Sequence, residues 1–204
     1  ECGKPAARRE AGRGASGDVG ALVIRVWRHP RPLQVAGRCV GQWDAPVDAR
    51  KAKRLAHRIR QVARQLGLPR IILTSPLQRS AQVGRHLRRW GWRHVVDTAL
   101  CEASFGAWDG KLWSEITRSE VDAWVDDFLD HAPGGGESLR AMLVRAGDWQ
   151  PPSGLGLAPD QSLLIVGHAG WMLARHWATH ERRLPSGAHE WPAPPPYGQC
   201  WNLA

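Results

Sequence analysis

The chain has 204 residues and a formal net charge of +9, a length that fits one domain with a full core and gives no reason to expect two. It contains no apolar run long enough to span a membrane, and its first twenty residues lack the apolar centre of a signal peptide, so we expect a cytoplasmic protein that does not engage a membrane. Its four cysteines lack the spacing of a disulfide framework or a zinc site, which favours reduced thiols and predicts neither metal nor cofactor.

Residues 1–20 are rich in glycine, alanine and arginine and show no periodicity of apolar side chains. Such a stretch buries too little apolar area to offset the entropy that is lost on ordering. The sequence therefore predicts a disordered leader over 1–20 and one folded domain over 21–204. The pattern does not indicate an oligomeric state.

A strand is predicted at residues 22–28, where an almost continuous apolar run ends in Arg28 and His29. Pro30 follows, and proline has no N–H for a sheet and favours extended geometry in the residue before it. We therefore expect His29 at the carboxyl end of the strand, the edge at which open α/β sheets bind ligands.

The remaining chain alternates between short apolar runs and segments of helical periodicity. In chain order we predict a loop over 31–47, a helix over 48–66, a strand over 71–74, a helix over 76–90, a strand over 94–98, helices over 112–129 and 139–146, a strand over 163–166, a helix over 170–180 and an edge strand over 198–203. This alternation predicts an α/β fold, a three-layer α/β/α sandwich with a mostly parallel sheet.

Two further side chains are expected near the end of the first strand. Arg79 lies in the first turn of a helix that follows a strand, and His168 comes directly after another strand. Because the carboxyl ends of parallel strands meet at one edge of a sheet, we expect both residues close to Arg28 and His29. Glu102 is a carboxylate near the start of the turn-rich segment between them.

Four short motifs occur in a fixed order along the chain. They are Arg28-His29-Pro30, Ser75-Pro76-Leu77-Gln78-Arg79-Ser80, Leu100-Cys101-Glu102 continuing to Gly110, and Val166-Gly167-His168-Ala169-Gly170. In this order they resemble the histidine phosphatase superfamily over nearly the whole chain past its start. The resemblance implies a phosphoglycerate mutase-like fold and a histidine phosphatase domain over 21–204, most like alpha-ribazole phosphatase-type members.

The resemblance also implies a function, that of a metal-independent phosphomonoesterase acting on a small phosphorylated metabolite, with alpha-ribazole phosphate as one candidate. It implies that His29 is the nucleophile that becomes a phosphohistidine, that Arg28 and Arg79 bind the substrate phosphate, and that His168 is both catalytic and a phosphate contact. Glu102 is expected to protonate the leaving alkoxide and then to deprotonate water. These residue types suit the chemistry, since neutral imidazole attacks phosphorus without a metal and the arginine fork grips phosphate oxygens.

The chain departs from the family pattern at Gln42, where the family has an arginine in a Gly-Arg-Thr-Asp loop. The loss of that arginine removes a contact to phosphate or ribose, which leaves the substrate open. A phosphomutase is the alternative within enzymes. However, the segment Glu102-Ala103-Ser104-Phe105 differs from the mutase pattern Glu-Arg-His-Tyr, and the chain has no long lid insertion to shield a phosphoenzyme.

Positive charge is concentrated in residues 50–64, which hold seven basic residues and no acid, whereas residues 115–130 hold six acids and one arginine. We interpret both as solvated faces of amphipathic helices. A basic nucleic-acid-binding module is the alternative from a different class. The basic face holds no aromatic residue on which bases could stack, which makes nucleic acid an unfavoured partner.

Two other groups of residues are predicted near the site. Glu137 and Arg145 match a family pattern of Gly-Glu-Ser followed by arginine, and we expect them to support the pocket. Trp43, Trp108 and Trp113 are the tryptophans that we expect to border the substrate.

Overall fold

The computed structural model describes residues 23–158, 161–181 and 183–203. The leader predicted for 1–20 lies outside these ranges. Within them, five strands alternate with five α-helices. The elements are β1 (Ile24–Arg28), α1 (Ala49–Gln65), β2 (Ile71–Thr74), α2 (Gln78–Arg89), β3 (Arg93–Val96), α3 (Arg118–Asp126), α4 (Leu139–Gly147), β4 (Leu163–Gly167), α5 (Ala169–His180) and β5 (Cys200–Leu203).

The strands form one sheet in the order β3-β2-β4-β1-β5. The first four are parallel to their neighbours, and β5 runs antiparallel to β1 at the edge. This confirms the mostly parallel sheet and the terminal edge strand. Arg28 lies opposite Gly167 in the register of β1 and β4, so the residues that follow these two strands are neighbours at the carboxyl edge.

Apolar layers cover both faces of the sheet. Since successive strand residues point to opposite faces, Trp27 and Leu164 pack with α1 and α2, whereas Val26 and Ile165 pack with α4 and α5. Each fully buried side chain of this size contributes about 1.5–3 kcal/mol of transfer free energy. The result is the predicted three-layer α/β/α sandwich, with the carboxyl edge of the sheet left between the layers.

Helix α1 follows from its sequence. The Asp48 carboxylate caps it by accepting hydrogen bonds from the backbone N–H groups of Arg50 and Lys51. The apolar positions three and four apart are buried, namely Ala52, Leu55, Ala56, Ile59 and Ala63. The predicted helix over 48–66 is therefore confirmed.

The basic face of α1 differs from the prediction in one respect. Trp90, which comes directly after α2, packs beside it, with its ring centroid 4.4 Å from that of His57 and 4.7 Å from the Arg60 guanidinium carbon. The expectation that no aromatic side chain borders this face was wrong, because Trp90 arrives from another helix.

The helix predicted over 112–129 is two separate pieces. A short 3₁₀ turn covers Trp113–Glu115, and α3 begins only after Thr117. The Thr117 hydroxyl accepts from the backbone N–H of Glu120, and the Glu120 carboxylate accepts from the backbone N–H of Thr117. This reciprocal capping begins a new helix, which the apolar periodicity alone did not indicate.

Across the described residues, no helix is both long enough and apolar enough to cross a membrane.

Candidate active site

The predicted residues meet at the carboxyl edge of β1 and β4. The backbone N–H of His29 donates to the Gly167 carbonyl at 3.0 Å, which continues the pairing of the two strands by one residue. His168 follows β4 directly, and the ring centroids of the two histidines are 4.9 Å apart. Strand pairing thus brings together two residues that are far apart in sequence.

His29 is 4% exposed, and it lines a cavity of about 330 Å³. Its Nδ1 lies 2.8 Å from the Pro30 carbonyl oxygen. Since a carbonyl can only accept, Nδ1 carries the proton and Nε2 keeps the free electron pair. Burial, followed by the positive charge of Arg79, holds the pKa of His29 well below its ordinary value of 6.5. The ring is therefore a neutral imidazole at neutral pH, the form that can act as a nucleophile.

His168 has no exposed surface and lies behind the cavity wall. Its Nε2 and the Ser75 hydroxyl are 2.7 Å apart, whereas its buried Nδ1 has no hydrogen-bond partner. Burial, with added repulsion from Arg79 and His29, holds the pKa of His168 well below 6.5. Ser75 is a residue to which sequence reasoning assigned no role, although it directly follows β2 just as His29 follows β1.

Arg79 is 1% exposed, at the start of α2. Its Nη1 donates to the Trp43 carbonyl at 2.8 Å and its Nη2 to the Gly41 carbonyl at 2.5 Å, while its buried Nε has no partner. Burial lowers the pKa of this guanidinium, but arginine keeps its proton in proteins. No carboxylate of the described chain lies within ion-pair distance of it.

Arg28 borders the cavity from the end of β1. Its Nη1 donates to the Pro195 carbonyl at 2.6 Å, and its guanidinium carbon lies 3.9 Å from the ring centroid of Tyr197. Its Nε is buried without a partner, and burial lowers the pKa of the group. Tyr197 comes from the segment just before β5, and no local pattern marked it as a site residue.

Glu102 lines the same cavity as His29, Arg28 and Arg79. One carboxylate oxygen accepts from the backbone N–H of Ala103 at 3.1 Å, and the other accepts from that of Gly170 at 3.2 Å. Gly170 has to be glycine for this approach, because an added Cβ would collide with the Glu102 carboxylate.

The Gln42 side chain contacts the main chain of the Glu102 segment. Its side-chain Nε2 donates to the Glu102 carbonyl at 3.0 Å, and its backbone N–H donates to the Asp109 carboxylate at 3.0 Å. Burial raises the pKa of Asp109 from its ordinary value. The residue that replaces the family arginine therefore braces the loop that carries Glu102.

Glu137 and Arg145 form a two-pronged ion pair, with both nitrogen-to-oxygen distances at 2.8 Å. Arg145 also donates to the carbonyls of Ala99 and Cys101, the segment just before Glu102. The ion pair thus holds the segment that precedes Glu102, which agrees with the supporting position predicted for Glu137 and Arg145.

The three tryptophans expected at the substrate do not line the cavity. Trp108 is 2% exposed and forms a small core with Cys39 and Ile116. Trp113 is 42% exposed and packs on Trp108, while the Trp43 ring lies over Gly110. The rings that do border the cavity are instead Phe105, Trp124, Phe128, Trp191 and Tyr197.

Arg79 is buried and Arg28 is partly buried, and neither guanidinium has a carboxylate within ion-pair distance, so main-chain carbonyls compensate their positive charge only in part. Taking such a charge out of water costs several kcal/mol unless an anion pairs with it. A phosphate ester would supply that anion and could use the free N–H groups of both arginines. The neutral imidazole of His29 and the carboxylate of Glu102 border the same space.

Several solved structures share this architecture. The mycobacterial glucosyl-3-phosphoglycerate phosphatase, in its complex with vanadate, is 25% identical with a TM-score of 0.68, and the match covers 90% of this chain and 91% of that one. Its complex with inorganic phosphate matches at 25% identity and a TM-score of 0.57 over 81% of each chain. A protein from Thermus thermophilus is 25% identical with a TM-score of 0.54, over 75% of this chain and 81% of that one.

Comparison with curated proteins gave no match. The family model for branch 1 of the histidine phosphatase superfamily matches residues 24–189, a span that runs from β1 past α5 and includes Arg28, His29, Arg79, Glu102 and His168. With the phosphatase structures that share its fold, this match identifies the chain as a phosphatase that belongs to the histidine phosphatase superfamily.

Proposed function

We propose that the protein is a metal-independent phosphomonoesterase that hydrolyses a small phosphorylated metabolite through a phosphohistidine at His29. The observation that carries this proposal is the position of a neutral, buried imidazole beside the buried guanidinium of Arg79 and the partly buried guanidinium of Arg28, neither of which has a carboxylate within ion-pair distance. A phosphomonoester supplies both the missing anion and the electrophile for that imidazole.

In the first step, His29 Nε2 attacks phosphorus and the ester P–O bond breaks. Glu102, in its protonated form, gives its proton to the departing alkoxide. Arg28 and Arg79 bind the equatorial oxygens, on which negative charge accumulates in the transition state. We propose a phosphate contact for His168 as well, because its ring lies 4.9 Å from that of His29 and its buried Nδ1 has no hydrogen-bond partner.

In the second step, water attacks the phosphohistidine and gives a proton to the Glu102 carboxylate. The P–N bond breaks, inorganic phosphate leaves, and His29 returns to its neutral form. The net reaction converts the ester and one water molecule into the alcohol and inorganic phosphate, and no step uses a metal or a cofactor.

The test is to trap the intermediate. The enzyme is denatured during turnover of a ³²P-labelled phosphomonoester, once with acid and once with alkali. A phosphate ester of serine or threonine on the protein would keep its label in acid. We expect alkaline denaturation to retain the label and acid to release it, as for phosphohistidine. His29→Ala should give no labelled protein, whereas His57→Ala, which changes an exposed histidine on α1, should label like wild type. Turnover by His29→Ala at the wild-type rate would contradict the mechanism.

A panel of esters then addresses the substrate. It should include alpha-ribazole phosphate, which the sequence resemblance suggests, and glucosyl-3-phosphoglycerate, which the mycobacterial phosphatase is named for. Release of inorganic phosphate at a steady rate, without a diphosphate primer, would separate this activity from that of a phosphomutase.

The basic face of α1 does not favour a nucleic-acid function, because the Trp90 ring beside it is engaged by His57 and Arg60.

A further inference from the structure

The cavity has two chemically different ends. Its charged end holds Arg28, His29, Arg79 and Glu102, and the rest of its wall is mostly carbon. On one side, aromatic rings follow each other at short range. Ring centroids are 5.7 Å apart for Phe105 and Trp124, 5.8 Å for Trp124 and Phe128, and 6.5 Å for Phe128 and Trp191. We call these four rings the aromatic wall.

Aliphatic side chains form the side of the cavity built from α4 and α5. Met142 and Leu173 are buried, and Leu139 at the start of α4 is partly buried. Pro192 and Pro194 add further apolar surface. A molecule in this part of the cavity therefore lies between carbon surfaces, a setting that favours apolar groups because they leave water on entry.

Few polar side chains line the part of the cavity beyond its charged end, namely Glu137, Ser138 and the indole N–H groups of Trp124 and Trp191. Both carboxylate oxygens of Glu137 already accept from Arg145, and the Ser138 hydroxyl accepts from the backbone N–H of Ala141 at the start of α4. Sugar hydroxyl groups that entered this part of the cavity would lose hydrogen bonds to water and would find few groups among the described lining residues to replace them. That loss disfavours sugars.

We propose that the alcohol released by this enzyme carries a flat apolar group, an aromatic ring system or an apolar skeleton of similar size, which binds along the aromatic wall. The inference rests on the proposed function and adds the substrate class. A cavity of about 330 Å³ has room for a phosphate and one such group. This volume is at the lower end of the range for small-molecule sites, which disfavours substrates that carry a second large group besides the apolar one.

The test compares two phosphate esters of primary alcohols, whose alkoxides are equally poor leaving groups. A difference in kcat/KM between them then reports how the alcohol part binds and not how easily the P–O bond breaks. The pair is 2-(2-naphthyl)ethyl phosphate and glycerol 3-phosphate. We expect wild type to favour the naphthylethyl ester in kcat/KM by at least about 10-fold, the scale on which apolar pockets discriminate.

Changes in the aromatic wall should act on one ester only. Trp124→Ala and Trp191→Ala should each lower kcat/KM for the naphthylethyl ester by about 10- to 100-fold, mainly through KM, and leave glycerol 3-phosphate nearly unchanged. Trp113→Ala is the matched control, because this tryptophan lies outside the cavity. Inhibition by inorganic phosphate should be the same in all four proteins, which shows that the charged end is intact. If a wall variant does not fold, Trp124→Leu and Trp191→Leu take its place.

The outcomes separate the two proposals. Faster hydrolysis of glycerol 3-phosphate than of the naphthylethyl ester, or an equal loss on both esters in the wall variants, would overturn the apolar alcohol and leave the phosphohistidine mechanism standing. Failure of the whole ester panel to release phosphate, together with the absence of a labelled enzyme, would overturn the proposed function and this inference with it.

Discussion

At the scale of single residues, the site is built around charge that the protein itself does not neutralise. Arg28 and Arg79 donate to main-chain carbonyls, each keeps a buried Nε without a partner, and burial lowers the pKa of both groups. Because these donors are already in place, little free energy is lost to reorganisation when the phosphate enters, and the affinity for the anion is correspondingly higher.

Glu102 is the residue whose role can be separated from that of His29. Glu102→Gln should slow phosphorylation by an alkyl phosphate about 10²- to 10⁴-fold, the usual size of a general-acid effect. A nitrophenyl phosphate should lose less in this step, because nitrophenolate leaves without a proton. Rapid-quench measurement should then show phosphoenzyme accumulating with the aryl ester, since the attack of water still needs the base.

His29→Ala serves as the comparison, because loss of the attacking atom should abolish turnover of both esters alike. If Glu102→Gln slows both esters equally and no phosphoenzyme accumulates, Glu102 is not the acid. The partly buried Asp109, whose carboxylate accepts from the backbone N–H of Gln42, would then be the next candidate.

At the scale of elements, the start of α5 and the Glu102 loop are fitted to each other. The helix follows β4 directly, so its first turn lies at the carboxyl edge of the sheet, and the backbone N–H of Gly170 reaches the Glu102 carboxylate. A side chain at position 170 would occupy the place of that carboxylate. The absence of a side chain there positions the proposed acid.

Gly170→Ala should therefore reduce kcat by about 100-fold, the size expected when a catalytic group is displaced by about 1 Å. The fold should survive, because alanine is favoured over glycine within a helix by about 0.5–1 kcal/mol, and the melting temperature is the check. The decisive comparison is a double-mutant cycle. In a Glu102→Ala background, Gly170→Ala should cost less than about 0.5 kcal/mol of transition-state stabilisation. A full additive loss would show that Gly170 acts through some other residue.

At the scale of the whole molecule, the sandwich buries two imidazoles, with His29 4% exposed and His168 without exposed surface. His29 and His168 both have pKa values well below 6.5, with burial as the main cause. A histidine with a lowered pKa in the folded state binds fewer protons there than in the unfolded chain. Stability is therefore lost as the pH falls below the ordinary value toward the folded pKa values.

The free energy of unfolding should fall between about pH 7.5 and about pH 5.5. The slope below pH 6.5 approaches about 1.4 kcal/mol per pH unit for each of the two buried histidines. His94, whose pKa burial lowers to about 4, adds a smaller share because it is partly solvated. Urea unfolding at the two pH values measures the effect.

In that experiment, His168→Gln should remove about one histidine's share of the pH dependence, and His57→Gln on the exposed face of α1 should remove none. A wild-type protein that is equally stable at both pH values would show that the two rings take up protons in the folded state. The neutral imidazole at His29 would then no longer be supported.

The sequence by itself determined the strands, their order of appearance and the residues at their ends. The apolar runs of β1 and β2 stop shortly before Pro30 and Pro76, where the chain can no longer continue a strand, and this is a local property. The parallel arrangement followed from the alternation with helices, and it placed the ends of β1 and β4 at one edge. For this reason the sequence predicts that Arg28, His29, Arg79 and His168 lie together, and the family motif implies the same position for Glu102.

Only the tertiary structure decided which apolar residues face an empty space and which face each other. Periodicity reports that a side chain leaves water, and this is equally true of Trp108 in a small core and of Trp124 in the wall of a cavity. The partners of the site residues were likewise beyond a local pattern, because Ser75 reaches His168 and Tyr197 reaches Arg28 across long stretches of chain. A cavity is the space left where several distant elements fail to fill a volume, and no single segment of the sequence carries that information.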